Sequence, residues 1–460
     1  MSPSYDVIVI GGGSAGYAAA RTAQAEGARV AIIDQGPLGG LCILRGCMPT
    51  KAILRSSTIA ALIRRAPEFG VNTQGLQANL SAIIDRKNRL IKEFADDRIQ
   101  SLTDSRFTLY REQAHFLSPS EIQVGDRRLT AKNFIIATGS VVARPPIQGL
   151  ENVDYLTSDE ALDLSNVPES LIVLGGGPVA LELAQFFLRI GVRVTLIQRS
   201  AHVLSDADED LAGPVEARFR EEGMTVLTGT AIQKVTDSGN LKTVHFLHKG
   251  QPQQVTAATI LQALGRLPNI DELHLEAAQL SPRNGKIVVD PTMCTSQPHI
   301  YAVGDVNGLH EIVHIAIEQG EIAGWNATHP MDPPKRFNER LKAQVVFTDP
   351  QVASVGLSEK ECKKNDIPFL VASYPFNDHG KSLCLGETLG HVKVLCDPRT
   401  GTVLGGHIVG PEASELIHEL IAVMYFSGTV HDLLHIPHYH PTLAEILTYP
   451  AEELTRQLID

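Results

Sequence analysis

Residues 39–51 read Gly-Gly-Leu-Cys-Ile-Leu-Arg-Gly-Cys-Met-Pro-Thr-Lys, and the rest of the chain is best understood from this segment. Two of the six cysteines, Cys42 and Cys47, are separated here by four residues and precede an apolar helical run. The spacing suits a small disulfide loop at the start of a helix, with Gly46 in the turn and Pro49 in the first helical turn. Cys47 would lie where the helix dipole and free N–H groups favour a thiolate. The segment therefore predicts a redox-active cysteine pair.

Two other interpretations of the cysteine pair are half of a zinc site and a chance juxtaposition. A zinc site usually has a gap of about two to four residues and a second Cys or His pair. No such pair stands out in the sequence. The other four cysteines have no partner motif and are predicted to be buried small side chains or surface thiols: Cys294, Cys362, Cys384 and Cys396.

Composition describes an ordinary globular chain of 460 residues, 43% hydrophobic and 20% charged, long enough for three domains. The net charge of −12 argues against nucleic acid as a partner. No apolar run approaches membrane length, and the opening Met-Ser-Pro-Ser-Tyr leaves no room for a signal peptide, so a cytoplasmic protein without a membrane partner is expected. Six cysteines in so long a chain are not a disulfide scaffold. One dithiol pair in a reducing compartment is more plausibly catalytic.

A glycine-rich turn near the N-terminus predicts a first dinucleotide site. Residues 6–10 form a predicted buried strand, and a helix is predicted from the glycines to about residue 27. Gly11 allows the tight turn, Gly13 lets backbone N–H groups approach a pyrophosphate, and Gly16 lets helix and strand pack closely. A second strand, predicted over residues 30–33, leads into Asp34, 21 residues after Gly13, where a carboxylate accepts hydrogen bonds from a ribose. Two further contact residues open the helix: Ser14 and Ala15.

The same arrangement recurs between residues 171 and 198 and predicts a second dinucleotide. A strand over residues 171–174 leads to Gly175 and Gly177, then a helix to about residue 190 and a strand over 192–197. Pro178 and Val179 open the helix as further contact residues. A duplicated fold with a vestigial second site is the alternative, but both glycines that the phosphate needs are present.

The two sites differ where a ribose would bind. Gln198 stands where the first site has an acid, Arg199 follows it, and Ala180 replaces the third glycine. An acid would bind a free 2′-hydroxyl and repel a 2′-phosphate, whereas an arginine can pair with that phosphate. The sequence therefore favours NADPH over NADH.

The pattern Gly-Gly-x-Cys-x-x-x-Gly-Cys-x-Pro-x-Lys resembles the active-site signature of the pyridine nucleotide-disulfide oxidoreductases, which include dihydrolipoamide dehydrogenase, glutathione reductase and mercuric reductase. The resemblance covers essentially the whole chain. It implies an α/β fold of two Rossmann-like domains, for FAD and NAD(P), and an α+β C-terminal domain that forms a homodimer. The expected divisions are an FAD domain over residues 1–147 and 271–340, an NAD(P) domain over 148–270 and a dimerisation domain over 341–460, with a linker at 331–335. Within the last domain, helices are predicted near residues 413–426 and 443–456.

Further segments resemble flavin-binding parts of this family. The strand end at Thr138 and Gly139 looks like the exit from an antiparallel insert, and Gly265 with Arg266 looks like the return from the second nucleotide domain. Gly304 and Asp305 resemble a second flavin fingerprint, in which the acid lies at the ribityl chain and diphosphate of FAD. The resemblance also assigns flavin contacts to two residues of the opening segment: Gly40 and Lys51.

The motif His-Pro-Thr near the C-terminus implies an acid–base pair. Dithiol chemistry needs a base, and a carboxylate that holds the imidazole. In the family these are the residues matching His440 and Glu445, and they reach the disulfide of the other subunit. His431 and His435, spaced for one helical face, leave a metal patch as an alternative; no metal is expected, and His438 and Tyr439 are expected to shape the dithiol channel.

The resemblance also assigns roles to the thiols and to an ion pair. Cys47 would lie against the flavin as the charge-transfer thiolate, and Cys42 would form the mixed disulfide with substrate. Lys51, one turn beyond Cys47, matches the lysine that pairs with the family's glutamate, here Glu182. Such a pair would place positive charge near the flavin and favour its reduction.

Substrate identity is where the motifs diverge. The run from His440 to Glu445 most resembles dihydrolipoamide dehydrogenase, which implies a lipoyl-bearing protein or another small disulfide as substrate. The second glycine-rich site looks more like that of mercuric reductase, but residues 453–460 lack the C-terminal cysteine pair of those enzymes. An NADPH-dependent reductase of another disulfide or of a metal ion is therefore the second hypothesis, and a flavin-binding interaction component with little turnover is the third.

Two departures from the dihydrolipoamide dehydrogenase pattern bear on this choice. Leu44 and Arg45 stand where that family has Asn-Val, and Arg45 could lower a thiol pKa, attract an anionic disulfide or be a surface charge. Pro178 stands where many relatives have an aromatic residue that covers the flavin. The physiological disulfide could thus differ from a lipoyl group.

Overall fold

The structure is a computed structural model in which residues 4–459 are described. Residues 1–3 and 460, which belong to the terminal segments interpreted above, lie outside the described residues. Within the described part, no helix combines the length and the apolar character that crossing a bilayer requires.

The strands, in chain order, are β1 Ser4–Ile10, β2 Val30–Ile33, β3 Phe107–Tyr110, β4 Ala114–Ser118, β5 Glu121–Val124, β6 Arg127–Ile136, β7 Ser140–Val142, β8 Ser170–Leu174, β9 Arg193–Ile197, β10 Thr225–Leu227, β11 Thr230–Asp237, β12 Lys242–His248, β13 Gln251–Ala257, β14 Thr259–Gln262, β15 Arg266–Pro268, β16 Ile300–Ala302, β17 Ala343–Val346, β18 Gln351–Gly356, β19 Leu370–Pro375, β20 His391–Cys396 and β21 Val403–Gly410.

The α-helices are α1 Ser14–Ala25, α2 Gly40–Leu44, α3 Cys47–Arg65, α4 Leu80–Leu102, α5 Ser158–Ala161, α6 Pro178–Arg189, α7 Glu209–Glu221, α8 Val313–Thr328, α9 Glu359–Lys364, α10 Gly380–Leu385, α11 Ala413–Tyr425, α12 Val430–His435 and α13 Thr448–Ile459. Short 3₁₀ turns lie at Ala66–Phe69, Leu150–Asn152, Gly304–Asn307, Glu339–Leu341, Phe376–Asp378 and Ala444–Leu447.

The chain divides into two compact units. The first contains the described residues up to Ala52, with Ala82–Arg144 and Gly265–Asn338. The second contains Ile53–Ser81, Pro145–Leu264 and the described residues from Glu339 onward.

The first unit is built on a seven-stranded sheet. Its parallel part has the order β3-β2-β1-β6-β16, and the hairpin β4-β5 extends it antiparallel along the first half of β6. The ten-residue β6 can do both because its start pairs with β5 and its last three residues pair with β16. This order places β1 centrally, with the carboxyl ends of its parallel neighbours at the same edge.

Both faces of this sheet are buried, as parallel sheets require. Along β1, Val7 and Val9 join one apolar cluster, whereas Ile8 and Ile10 join the cluster on the opposite face. Helix α1 covers the first face, and α8 packs against it closely: a Cβ on Gly320 would lie 2.3 Å from the Ala15 carbonyl oxygen, and the corresponding atom on Gly324 2.5 Å from that of Ala19. Small residues therefore set the spacing of these two helices.

The second unit contains three sheets. A parallel sheet has the order β10-β9-β8-β14, and an antiparallel meander consists of β11, β12 and β13. The third sheet is antiparallel with the order β17-β18-β21-β20-β19, and its core includes side chains of α11 and α13. Side chains of α6 bind the segment after β17: Gln185 both accepts from the Asp349 N–H and donates to its carbonyl oxygen, each at 2.8 Å.

The α/β class is confirmed, and both predicted strand–glycine–helix–strand units are present. One element differs. The sequence predicts a helix near residues 443–456, but α13 begins at Thr448 after the 3₁₀ turn Ala444–Leu447. Because Pro450 lacks an N–H, it is tolerated only in the first helical turn, which requires the helix to begin just before it.

Candidate active site

The predicted redox cysteines lie at adjoining helix ends. Cys42 belongs to the short α2, and Cys47 is the first residue of α3. A Cβ on Gly46 would lie 3.1 Å from the Leu41 carbonyl oxygen and 3.3 Å from Cys42 Cα, so any side chain there would crowd the turn. Both cysteines are partly buried and are not joined by a disulfide, which is the reduced form of the predicted pair.

A hydrogen bond between the two thiols determines which of them keeps its proton. The hydrogen bond with Cys47, followed by burial, raises the pKa of the Cys42 thiol well above its ordinary value, and the charge of Lys51 offsets this only in part. A thiol that keeps its proton can donate to its neighbour, so a raised Cys42 pKa suits Cys42 as the thiol and Cys47 as the acceptor. The start of α3 also stabilises a negative charge at this position. This order of deprotonation is the one that the predicted roles require.

The first glycine-rich turn joins β1 to α1. Gly11 has φ +106°, and a Cβ there would lie 2.3 Å from the Ala137 carbonyl oxygen. A Cβ on Gly16 would lie 1.8 Å from the Gly11 carbonyl oxygen, so only glycine allows this helix to approach the turn. Gly13 borders open space, with Gly40 Cα at 3.9 Å as the nearest atom. The three positions thus differ as the motif predicts: turn, ligand approach and close packing.

Both predicted phosphate sites lie at helix N-termini that lack side-chain caps. Helix α1 follows Gly13 and α6 follows Gly177, and neither helix has a capping side chain or an acidic residue in its first turn. Their first N–H groups and the positive end of each dipole are therefore available to an anion. The residues that supply them are Ser14 and Ala15 in α1, and Val179 after the exposed Pro178 in α6.

Asp34 closes the first site at the end of β2. Its Oδ2 accepts the Gly12 N–H and its Oδ1 the Gly36 N–H, each at 2.7 Å. Each oxygen keeps a further lone pair, so the fixed carboxylate can also accept from ribose hydroxyls.

Gln198 occupies the matching place in the second site. A Cβ on Gly176 would lie 2.9 Å from Gln198 Cδ, just as one on Gly12 would lie 2.8 Å from Asp34 Oδ2. The neighbouring Arg199 is exposed. The second site therefore has the amide of Gln198 and the exposed guanidinium of Arg199 where the first site has the carboxylate of Asp34.

A chain of hydrogen bonds links three residues of the predicted flavin region. Ser140 Oγ donates to Asp305 Oδ2 at 2.7 Å and accepts from Arg266 Nε at 2.8 Å. Arg266 Nη2 also donates to the Ser140 carbonyl oxygen at 2.8 Å. Ser140 connects two predicted site residues, but nothing in its own sequence context marks it for this role.

The remaining predicted flavin residues lie at backbone positions that suit glycine or a fixed turn. Gly139, with φ +70°, and Gly265, with φ +109°, both border open space. Thr138 Oγ1 donates to the Asn269 carbonyl oxygen at 2.7 Å. The Gly304 N–H donates to Oε1 of the fully buried Gln319 at 2.8 Å, and within the described residues Gln319 Nε2 is buried without a hydrogen-bond partner.

These features fit two dinucleotides. Each site combines an uncapped helix N-terminus with glycines that leave room for a diphosphate, and the first adds a ribose acceptor.

The predicted base and its carboxylate are hydrogen-bonded to each other. His440 Nδ1 donates to Glu445 Oε1 at 2.9 Å, and Glu445 Oε2 accepts the Thr442 N–H at 2.8 Å. The Thr442 hydrogen bond, followed by that of His440, lowers the pKa of Glu445. The His440 side chain is 83% exposed. The carboxylate thus stays ionised and fixes one ring nitrogen, which leaves Nε2 for proton transfer.

The other histidines of this segment have separate partners. His438 Nε2 lies 2.7 Å from Glu419 Oε1, and its Nδ1 lies 2.7 Å from a carbonyl oxygen. His431 and His435 share one face of α12, as predicted, with ring centroids 4.2 Å apart. Over residues 4–459 no three or more His, Cys, Asp or Glu side chains form a ready-made metal group.

Lys51 and Glu182 lie on α3 and α6, respectively. Glu182 is buried, and its Oε1 accepts the Phe347 N–H at 2.9 Å. Lys51 is partly buried and its charge acts on Cys42. Their pairing at a flavin stays a prediction.

Two residues near the predicted chemistry were missed in the sequence. Arg98 lies 4.6 Å above the Tyr17 ring, its Nη1 is buried without a partner among the described residues, and its charge interacts with Cys42. His379 is buried, and its charge couples to Glu445 and His440. Both lie far along the chain from the motifs they approach, so no local pattern could have found them.

Taken together, a thiol pair at a helix N-terminus, two dinucleotide sites and a histidine–carboxylate pair define a flavoprotein disulfide oxidoreductase. Family comparison agrees with this class. Residues 5–320 match the model described as pyridine nucleotide-disulphide oxidoreductase, and residues 342–451 match the dimerisation domain of the same family. The chain belongs to the pyridine nucleotide-disulphide oxidoreductase family. Members bind FAD and a pyridine nucleotide, and the dimerisation domain implies a homodimer in the family.

Individual relatives carry different names. The chain is 34% identical to a mercuric reductase of Lysinibacillus sphaericus, over 97% of this chain and 82% of that protein. It is 32% identical to a dihydrolipoyl dehydrogenase of Bacillus subtilis, over 97% of both. Among solved structures, the Cu(II) complex of the HOCl-induced flavoprotein disulfide reductase RclA from Escherichia coli superposes with a TM-score of 0.86 at 25% identity, covering 98% of this chain and 99% of that one.

Proposed function

We propose that the protein passes electrons between the dithiol of a dihydrolipoyl group and NAD(P), through FAD and the Cys42–Cys47 pair. The observation that carries this proposal is the thiol pair at the start of α3, where Cys47 is the first residue of the helix and the hydrogen bond with Cys47 raises the pKa of the Cys42 thiol. The family's relatives named dihydrolipoyl dehydrogenase, with their near-complete coverage of both chains, support the choice of substrate.

The thiol chemistry follows from Cys42 as the thiol and Cys47 as the thiolate. Starting from the Cys42–Cys47 disulfide, a substrate thiolate attacks Cys42 sulfur, and Cys47 leaves as a thiolate. His440 accepts the proton of the second substrate thiol, which then attacks the substrate sulfur of the mixed disulfide. The substrate leaves as a cyclic disulfide, Cys42 regains a proton, and the two electrons remain on the enzyme as the reduced pair. FAD, when bound, supplies the electron transfer between that pair and the nicotinamide.

His440 acts in this scheme on the thiols of a second subunit. Its side chain is exposed, Glu445 holds it in place, and the family's dimerisation domain covers this part of the chain. In mixtures of Cys47→Ser and His440→Gln homodimers that exchange subunits, shared sites predict recovered activity, because each heterodimer then has one site with both intact cysteines and an intact base. A site within one chain predicts no recovery.

FAD would be held by residues 11–16, 39–51 and 304–305 together with Asp34, and the nicotinamide nucleotide by residues 175–179. Lys51 and Glu182 would pair near the flavin. The amide at Gln198 and the exposed cation at Arg199 support NADP over NAD as the nicotinamide. A reducing cytoplasm is the compartment in which such a pair would serve as a catalyst rather than as a structural crosslink.

The test is steady-state oxidation of dihydrolipoamide by the purified yellow protein, with NAD⁺ and NADP⁺ in parallel. Cys47→Ser should abolish turnover. Cys384→Ser is the matched control, because this exposed cysteine belongs to no motif and its loss should leave turnover unchanged. Absence of dihydrolipoamide turnover in a protein whose flavin bleaches anaerobically with NADPH would refute the substrate assignment.

A second candidate is an NADPH-dependent reductase of another disulfide or of a metal ion. The exposed Arg45 between the thiols and the 34% identity to a mercuric reductase favour it. NADPH consumption with Hg²⁺ or with anionic disulfides, without dihydrolipoamide activity, would select this candidate. If neither NADH nor NADPH bleached the flavin, a flavin-binding protein with little turnover would instead be favoured.

A further inference from the structure

A surface groove of about 630 Å³ in the first unit brings together two histidines that are far apart in sequence. His115 lies on β4 and His274 on the segment after β15. Their ring centroids are 4.5 Å apart and the ring planes are tilted by 47°. The groove belongs to none of the sites described above.

Backbone pairing explains why both imidazoles project on the same side. The Phe116 N–H donates to the Leu273 carbonyl oxygen at 2.9 Å, which places β4 beside the segment after β15. Phe116 and Leu273 are both buried in the core of the unit. The residues next to them, His115 and His274, therefore face outward.

The two rings are free to bind a ligand. Among the described residues, neither imidazole makes a hydrogen bond or an ion pair, so all four ring nitrogens remain available. Two nitrogens that bind one ion at about 2.0–2.1 Å must lie within about 4 Å of each other. Rings with centroids 4.5 Å apart can reach that separation by rotation of the side chains.

The surroundings favour a cation. Glu112, Asp271 and Glu272 line the groove, and its lining contains no Lys or Arg. Glu112 pairs with Arg127 outside the lining, and Glu272 accepts a hydrogen bond from the Gln113 amide. Asp271 is exposed and makes neither a hydrogen bond nor an ion pair within residues 4–459, so its negative charge in the groove lining is not neutralised by a paired cation.

We propose that His115 and His274 bind a divalent cation of the imidazole-preferring class, such as Ni²⁺, Cu²⁺ or Zn²⁺, with water completing the coordination. Hard cations such as Mg²⁺ and Ca²⁺ do not fit this site, because they require sets of oxygen donors. The site goes beyond the proposed function, since it uses no residue of the thiol pair or of the dinucleotide sites.

The second histidine pair of the chain is the natural comparison. His431 and His435 have rings at a similar distance, but His435 Nδ1 already bonds to the His431 carbonyl oxygen at 2.7 Å. The carboxylate between them, Asp432, accepts hydrogen bonds from Thr429 at the helix N-terminus. The helical pair thus offers fewer free donors than the groove.

The experiment is calorimetric titration of tag-free, FAD-loaded protein with Ni²⁺, which thiols do not reduce. The variants are His115→Gln and His274→Asn, the latter because His274 has φ +50° and Asn tolerates this left-handed conformation. The double variant of the helical pair, with His431→Gln and His435→Gln, is the matched control. Flavin absorbance and melting temperature check that each variant is folded.

Loss of an outer-shell partner alone costs about 10–100-fold in metal affinity, so loss of either ligand should weaken Ni²⁺ binding by at least about tenfold. The helical double variant should bind like the wild type. Binding that survives both groove substitutions, that disappears in the helical variant, or that is absent from the wild type would overturn the proposal. Anomalous diffraction at the nickel edge on wild-type crystals gives a test independent of the variants, and a peak elsewhere than between His115 and His274 would also overturn it.

Discussion

A buried lysine in the second unit is predicted to contribute strongly to the stability of the fold. Lys393, on β20 of the five-stranded sheet, is 1% exposed, and its Nζ lies 2.8 Å from Asp208 Oδ2. It also lies 2.9 Å from Asp210 and 3.2 Å from Glu359. The change Lys393→Met keeps the length and the apolar stem of the side chain but removes the charge. Three carboxylates then face one another without their shared cation.

The magnitude follows from which partners are buried. The Asp208 side chain is 9% exposed, whereas those of Asp210 and Glu359 are 43% and 25% exposed. Breaking a buried pair costs about 3–5 kcal/mol because one charge is left uncompensated. Each of the more exposed pairs adds at most about 1 kcal/mol. A total of about 3–7 kcal/mol corresponds to a fall in melting temperature on the order of 10 °C.

The effect depends on pH in a defined direction. Burial opposes ionisation of Asp208, but the hydrogen bond and charge of Lys393 outweigh it and lower the Asp208 pKa. Burial likewise opposes the charge of Lys393, and its carboxylate partners raise the pKa above the ordinary 10.5. The lowered pKa contributes stability above the ordinary Asp value of 3.8, lost as pH falls through the folded value. The raised pKa contributes stability below 10.5, lost as pH rises through the folded value.

The full difference in the free energy of unfolding between wild type and Lys393→Met is therefore expected near neutral pH. It should narrow near pH 4, where the orphaned carboxylates of the variant take up protons. Differential scanning calorimetry of the FAD-loaded protein at a fixed scan rate measures both. Lys363→Met is the matched control, because its Nζ lies 2.9 Å from the same Glu359 but its side chain is 66% exposed. A decrease in melting temperature for Lys393→Met that is no larger than the decrease for Lys363→Met would refute the reasoning.

Three further predictions concern the active site. His440→Gln should lower dihydrolipoamide turnover by about 10²–10⁴-fold, the usual contribution of a general base, and Glu445→Gln by a smaller factor, because the base is misoriented but present. Gln198→Glu should shift the ratio of kcat/KM for NADP⁺ over NAD⁺ toward NAD⁺ by at least about tenfold, equivalent to about 1.4 kcal/mol, since a carboxylate repels the 2′-phosphate. Gly16→Ala should yield protein without flavin, because its Cβ would lie 1.8 Å from a carbonyl oxygen of the turn; flavin absorbance of the purified protein measures this.

Each of these predictions has an outcome that would contradict it, and the prediction for Gly16 also has a control variant. Gly177→Ala places its Cβ where no atom lies within 4 Å, so flavin should be retained while KM for the nicotinamide rises. If Gly177→Ala also loses flavin, the packing argument for position 16 fails. An unchanged cofactor ratio in Gln198→Glu would mean that this side chain does not face the ribose. A larger effect of Glu445→Gln than of His440→Gln would reverse the roles given to the two residues.

Local patterns predicted the elements that position the site. The β2 bounds match the predicted strand, and Cys47 opens a helix as expected, because strand alternation, glycine turns and helix starts depend on neighbouring residues. The resemblance to a family then supplied what spacing alone cannot, namely the link between the thiols and a histidine almost 400 positions later. The pairing of Lys51 with Glu182 and the domain limits stay predictions.

What the sequence did not reveal depends on contacts between distant segments. Lys393 reads as a charged residue inside an apolar strand, and only the fold brings Asp208 to it from 185 positions away. His115 and His274 are each unremarkable in sequence, and their proximity depends on the pairing of β4 with the segment after β15. Such contacts leave no periodic signal, because neither partner's neighbours constrain the other.

The protonation order of the thiols also constrains the energetics of the whole electron path. Reduction of the disulfide by two electrons takes up one proton if Cys42 is a thiol and Cys47 a thiolate, the order that their hydrogen bond favours. For a two-electron couple that takes up one proton, the reduction potential then shifts by about 30 mV per pH unit. If His440 holds a second proton in the reduced enzyme, the shift becomes about 59 mV per pH unit. The slope of the reduction potential against pH therefore gives the number of protons that the two thiols and His440 take up on reduction. It shows whether His440 is protonated in the two-electron-reduced enzyme.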